Sequence, residues 1–202
     1  MVIFVLSFTA CDAAGTSNIN TISGAQLTDK EKIFLSVGSK NYFVFDFSVD
    51  KKYKWVKVWI DRYEHGNKVT GSGSLLTSLS AGEEGMIIAT LRRDENMTNE
   101  WTLAINSGGA LSQAESKQEY KSKANLPFSS VISSSGLRVS IEDKEIILGS
   151  ACYKASQEEG SIVSSLSQGF YTNPEAHMEE IAEYDLVYLL KCRFYDTERE
   201  PE

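Results

Sequence analysis

The strongest constraint on this chain is an alternation of period two in its aromatic and β-branched residues. Over residues 42–49, Phe43, Phe45, Phe47 and Val49 fall on one side, while Tyr42, Asp46 and Ser48 fall on the other. Successive side chains of a strand point to opposite faces, so this run predicts a half-buried strand. Residues 53–64 form the longest candidate. There Val56, Val58 and Ile60 share one face, and Tyr53, Trp55, Lys57, Trp59, Asp61 and Tyr63 share the other. His65-Gly66-Asn67 supplies a hairpin turn in which Gly66 takes a positive φ, and residues 68–70 begin the return. Further strands are predicted over residues 33–37, 86–93, 100–105, 137–142, 145–154 and 185–195. In the last of these Leu186, Tyr188, Leu190, Cys192 and Phe194 point inward together.

Two stretches break the pattern. Residues 111–123 are polar, with Ser112 and Glu115 spaced like a capping box, and read as a surface helix or loop between sheets, or as a hinge between two lobes. Asn173-Pro174-Glu175 is a helix start, with a proline in the first turn and an acid near the positive dipole end. That helix is expected to reach residue 183 with Met178, Ile181 and Ala182 inward. About eight short, mostly antiparallel strands with one short helix in the C-terminal half make a mainly β chain, an antiparallel β-sandwich. Immunoglobulin-like topology is a loose analogy only, because no cysteine–tryptophan–cysteine signature accompanies it. A chain of 202 residues is long enough for one domain with a sizeable core.

The N-terminal residues speak to location. Residues 1–11 read MVIFVLSFTAC, an apolar run without charge before Asp12. It is shorter than the ~20 apolar residues that span a bilayer, but has the length of a secretory hydrophobic region. Thr9 and Ala10, both small, immediately precede Cys11. This arrangement resembles the lipobox of bacterial lipoproteins. The resemblance implies that residues 1–10 are a signal peptide and that Cys11 is lipidated and becomes the new N-terminus. Phe8 stands where that family usually has an aliphatic residue, and a start upstream of Met1 would supply the usual basic segment. Residues 11–26 are small, polar and nearly uncharged, the composition of a flexible tether, leaving residues 27–202 as the β-rich domain. The expected location is the extracytoplasmic face of a membrane, held there through Cys11.

Composition narrows the chemistry. Twenty-eight acidic against 20 basic residues leave a net charge of −8, which disfavours phosphate backbones, so no nucleic-acid partner is expected. His65 and His177 are the only histidines, each read as a solvent residue, and no Gly-x-Ser-x-Gly elbow accompanies them; Gly71-Ser72-Gly73-Ser74 reads as a loop. No metal motif is present, and Asp46, Asp50 and Asp61 are only a loose trio near strand ends. No cofactor and no catalytic residue is expected. Cys152 and Cys192 lie on predicted strands, and either a buried disulfide or two independent thiols suits them. Tyr53, Trp55, Trp59 and Tyr63 are the candidate ligand-binding surface. If the aliphatic face of their strand is core, they form an outward row suited to sugar rings or a peptide; otherwise they are core or lie under a loop or the C-terminal helix. The expected role is binding or envelope interaction without chemistry, with a cell-envelope protein or glycan as partner. The alternatives are a glycan-binding module using the aromatic strand, or an envelope hydrolase with acidic residues not yet singled out.

Overall fold

The computed structural model describes residues 19–39, 41–69, 73–80, 82, 84–93, 98–120, 128–134, 136, 138–155 and 163–197. Among these are twelve strands: β1 (Thr21–Gly24), β2 (Asn41–Ser48), β3 (Trp55–Glu64), β4 (Asn67–Val69), β5 (Ser74–Ser78), β6 (Glu84–Arg93), β7 (Thr98–Ser107), β8 (Ala110–Glu119), β9 (Phe128–Ser134), β10 (Val139–Ser140), β11 (Ile146–Ala155) and β12 (Leu186–Tyr195). They make two antiparallel sheets, ordered β10-β1-β2-β6-β7-β8 and β4-β3-β12-β11-β9, with β5 sharing the outer edge of β3 with β4. The molecule is a β-sandwich. No described helix is long and apolar enough to cross a membrane.

The alternation read from the sequence builds the layer between the sheets. Phe43, Phe45 and Phe47 meet Val56, Val58 and Ile60 across it, with Leu103 and Ile105 from β7 and Leu190 and Phe194 from β12. Phe194 packs edge-on against both Phe47 and Tyr53. One end of this layer is polar: the buried Asn99 donates its amide to the Tyr188 hydroxyl at 3.1 Å and accepts from the Tyr153 hydroxyl at 3.4 Å. Both phenols gain a partner through one asparagine, which keeps their burial from being costly.

Several expectations are corrected. Residues 33–37 are not a strand but lie in helix α1 (Asp29–Gly38), started by a capping box in which the Thr28 side chain accepts from the Glu31 amide and Glu31 accepts from the Thr28 amide. Residues 111–123 contain no helix among the described positions. They give β8, whose inner face is Ser112, Ala114, Ser116 and Gln118 opposite Ile105, Leu103, Trp101 and Asn99. The small residues Ser112 and Ser116 let β5 and the residue before it close over the edge of the sandwich: Thr77 bonds to Ser112, and a Cβ on Gly73 would lie 2.6 Å from that of Ser116. The tether boundary also moves, because Ile22 is buried in the core and β1 pairs with both β2 and β10. The folded domain therefore includes residues from 19 onward, while Cys11 and the signal-like run lie outside the described residues.

A third, helical layer covers part of the second sheet. Helix α2 (Gln168–Thr172), capped by Ser167, leads into a 3-10 segment (Pro174–Glu183) kinked at His177. Ile181 is buried as expected, whereas Met178 and Ala182 are exposed, because the kink and the tighter 3-10 winding rotate them off the packed face. The expected hairpin turn is present, with His65 and Gly66 both at positive φ (47° and 81°), the pattern of a two-residue type I′ loop.

Candidate functional site

The outer face of the second sheet has two halves. Over one, Phe170, Ile181, Leu166 and Tyr184 from the helical layer bury Tyr63, Val187, Leu189 and Cys152. Over the other there is no helical layer among the described residues, and Asp143 and Glu145 reach it only through Arg193 and Lys191. There β3 presents Trp55, Lys57 and Trp59, directly opposite Tyr195, Arg193 and Lys191 of β12. Aromatic and cationic side chains therefore interleave on one face of two adjacent strands. Arg193 lies over the Tyr195 ring at 5.1 Å and is tied to Asp143 at 2.9 Å.

The seam between the halves is a charged cluster. Asp61 accepts from Lys191 at 2.8 Å and from Lys68 at 2.9 Å, and Lys191 also reaches Glu145 at 3.0 Å. Burial pushes the Asp61 carboxyl up, but the hydrogen bonds from Lys191 and then Lys68, with their charges, outweigh it and hold its pKa below the ordinary value. Burial likewise pushes Lys191 down, and the bonds to Asp61 and Glu145 leave it raised. Both are therefore ionised at neutral pH, and the pair is a fixed feature of the surface. On one side of it is a hollow of about 480 Å³ lined by Lys57, Trp59, Asp61, Lys68, Glu145 and Tyr195. On the other, reaching under the helical layer, is one of about 790 Å³ bounded by Glu145, Lys191, Tyr171, Pro174 and Met178.

The four aromatics expected to act together do not. Tyr53 precedes β3 and turns into the core, its hydroxyl donating to the Ile141 carbonyl at 2.9 Å. Tyr63 is sealed beneath the helical layer. Trp55 and Trp59 remain at the surface, each half-buried. Tyr195 joins them from β12, a neighbour that period-two reading of β3 cannot show.

The Cys152–Cys192 disulfide does not form; both thiols are free and buried. A bulge between Ile147 and Gly149 shifts the parity of β11, so that Cys152 faces the helical layer while Cys192 faces the inter-sheet core. Cys152 is also paired with Val187, five positions from Cys192, about 17 Å along the strand and far beyond disulfide reach. Burial raises the Cys152 thiol to about 11, and Cys192 also rises, so neither is a ready nucleophile.

The remaining candidates stay apart. Asp46 faces outward from the first sheet, Asp61 outward from the second, and Asp50 is held by the Asn20 amide at 2.9 Å. His65 lies 3.4 Å from Asp185, and His177 lies 3.1 Å from Glu180. The Ser167 hydroxyl donates to Glu180 rather than to His177, so the three do not form a relay to a serine. No group of three or more ligating side chains suited to a metal occurs among the described residues.

No curated protein and no solved structure matches the chain significantly. A family model for the YgaN domain matches residues 21–194, from the start of β1 to the penultimate residue of β12. The chain belongs to the YgaN-domain family.

Proposed function

We propose that this protein is a tethered extracytoplasmic binding module, held at a membrane through lipidated Cys11 and binding an envelope component on the uncovered half of its second sheet. The observation that carries the binding role is the contrast on one sheet face. A helical layer seals Tyr63, Val187 and Leu189, while Trp55, Trp59 and Tyr195 stay at the surface beside Lys57 and Arg193. Aromatic rings half-exposed on a rigid sheet lose little entropy on contact and suit stacking on a flat partner. The lipobox-like residues 1–11 support the tether, and the acidic net charge would hold the domain off an anionic leaflet. The role asks for no chemistry of the protein's own.

Two experiments test the two parts. With upstream sequence included, the chain is expected in the membrane fraction with acyl mass on Cys11, and Cys11→Ser is expected to release it; a membrane-bound Cys11→Ser protein contradicts the anchor. In co-sedimentation with protein-free cell-wall material the native chain is expected in the pellet. Trp59→Leu, which keeps apolar bulk but removes the ring, is expected in the supernatant with its thermal unfolding still cooperative. Equal sedimentation of both proteins contradicts the binding face.

A further inference from the structure

Lys57 sits in an arrangement that folding alone does not favour. It stands directly opposite Arg193 on the same sheet face, and like charges so paired are destabilising. Arg193 is compensated by Asp143, and Lys191 by Asp61 and Glu145. Lys57 has no ion-pair partner among the described residues. Its strand neighbours two positions away on the same face are Trp55 and Trp59, and it lines the same hollow as Trp59 and Tyr195. The hollow is also lined by Asp61 and Glu145, but both carboxylates are engaged by Lys191, so Lys57 is the charge of this face left without a counter-ion among the described residues, in a chain that carries −8 as a whole. A group that is repelled by its neighbour, without a counter-ion among the described residues, and flanked along its strand by two tryptophans costs stability, and such local conflicts concentrate at functional sites.

We infer that the ligand of this face is an acidic saccharide, with Trp59 stacking on a sugar ring and the Lys57 ammonium taking its carboxylate or phosphate. This deepens the binding-face reading and rests on it. The acid would sit on the Lys57 ammonium, which has no counter-ion among the described residues, and relieve its repulsion from Arg193, whose guanidinium Asp143 already holds. Trp55 and Trp59 are four residues apart on one strand, about 13 Å, which leaves room for several sugar rings along β3. Sugar chemistry is favoured over an acidic peptide because the charge is set between aromatic faces rather than along an open strand edge: β3 is paired on both sides.

The test measures binding of the full chain to two matched pairs of probes, hyaluronan hexasaccharide against chitohexaose and sialyllactose against lactose. At least one acidic probe is expected to bind saturably and more tightly than its neutral partner, with affinity falling as salt rises. Lys57→Gln is expected to weaken that probe by about tenfold or more and to leave its neutral partner unchanged. Equal binding of the two members of both pairs, or no saturable binding of either acidic probe, overturns the inference. If Trp59→Leu abolishes binding while Lys57→Gln does not weaken it, the acid preference falls and the binding face stands. Insensitivity to both substitutions overturns the face itself.

Discussion

The covered and open halves of the second sheet's outer face are built from the same two strands and end in different chemistry. Toward the C-terminal end of β3 and the start of β12, Tyr63, Val187 and Leu189 are packed under Phe170 and Ile181. A few residues along, Trp55, Trp59 and Tyr195 alternate with Lys57, Lys191 and Arg193 and have no layer above them among the described residues. The Asp61–Lys191–Glu145 cluster marks the change. Burial is therefore not decided by how aromatic a strand is, but by whether a distant segment supplies a face to pack against it. The 163–184 region supplies that face for only half of the sheet.

Substitutions on either side of the seam are expected to separate the two halves. The largest effect is expected under the cover. Phe170→Ala removes a fully buried ring, and denaturant unfolding is expected to show a loss of about 3–5 kcal/mol. A cost below about 1 kcal/mol would mean that the helical layer does not pack on the sheet as described.

At the seam, Asp61→Asn leaves Lys191 with Glu145 alone and is expected to cost about 2 kcal/mol at neutral pH. The pH dependence gives the cleaner reading. The folded-state pKa of Asp61 is depressed, so its contribution is present above the unfolded value, about 3.9, and is lost as pH falls through the folded value. The stability gap between the native chain and Asp61→Asn is therefore expected to be flat from neutral pH down to about 4 and to narrow below it. A gap that does not change in acid would contradict the ionised pair.

On the open half the effect is smallest and its sign is reversed. Lys57→Gln removes a repulsion across from Arg193 and is expected to leave stability unchanged or raise it by a few tenths of a kcal/mol, ~0.2–0.5. A loss above about 1 kcal/mol would make Lys57 a structural residue and break the contrast between the halves.

Much of the sandwich was legible because its inner faces follow period two without interruption. Phe43, Phe45 and Phe47, then Val56, Val58 and Ile60, then the even residues of β12, are core as their spacing says. Period two misleads where a local rule has a rival. Ile33 and Val37 are strand-favouring types, but the Thr28–Glu31 capping box starts a helix there and leaves Ile33, Phe34 and Val37 exposed. In β8 the inner positions are serine, alanine and glutamine, so the alternation has no apolar signal to carry it. The bulge in β11 reverses parity midway, which is why Cys152 lies across the sheet from where an unbroken strand would put it. The candidate site was half legible: Trp55 and Trp59 are where the pattern put them, whereas the burial of Tyr63 and the opposition of Lys57 to Arg193 depend on register between segments distant in sequence.

The proposed site is the open half, and not the core or the covered half. The chain has three tryptophans, two of them (Trp55 and Trp59) on the open face and one (Trp101) 1% exposed between the sheets. Fluorine NMR of chain labelled with 5-fluorotryptophan and titrated with hyaluronan hexasaccharide and sialyllactose therefore distinguishes the open face from the core. The Trp59 resonance, with or without that of Trp55, is expected to move to saturation while that of Trp101 stays fixed. Saturable binding that leaves both Trp55 and Trp59 unmoved, or that shifts Trp101 instead, would contradict it.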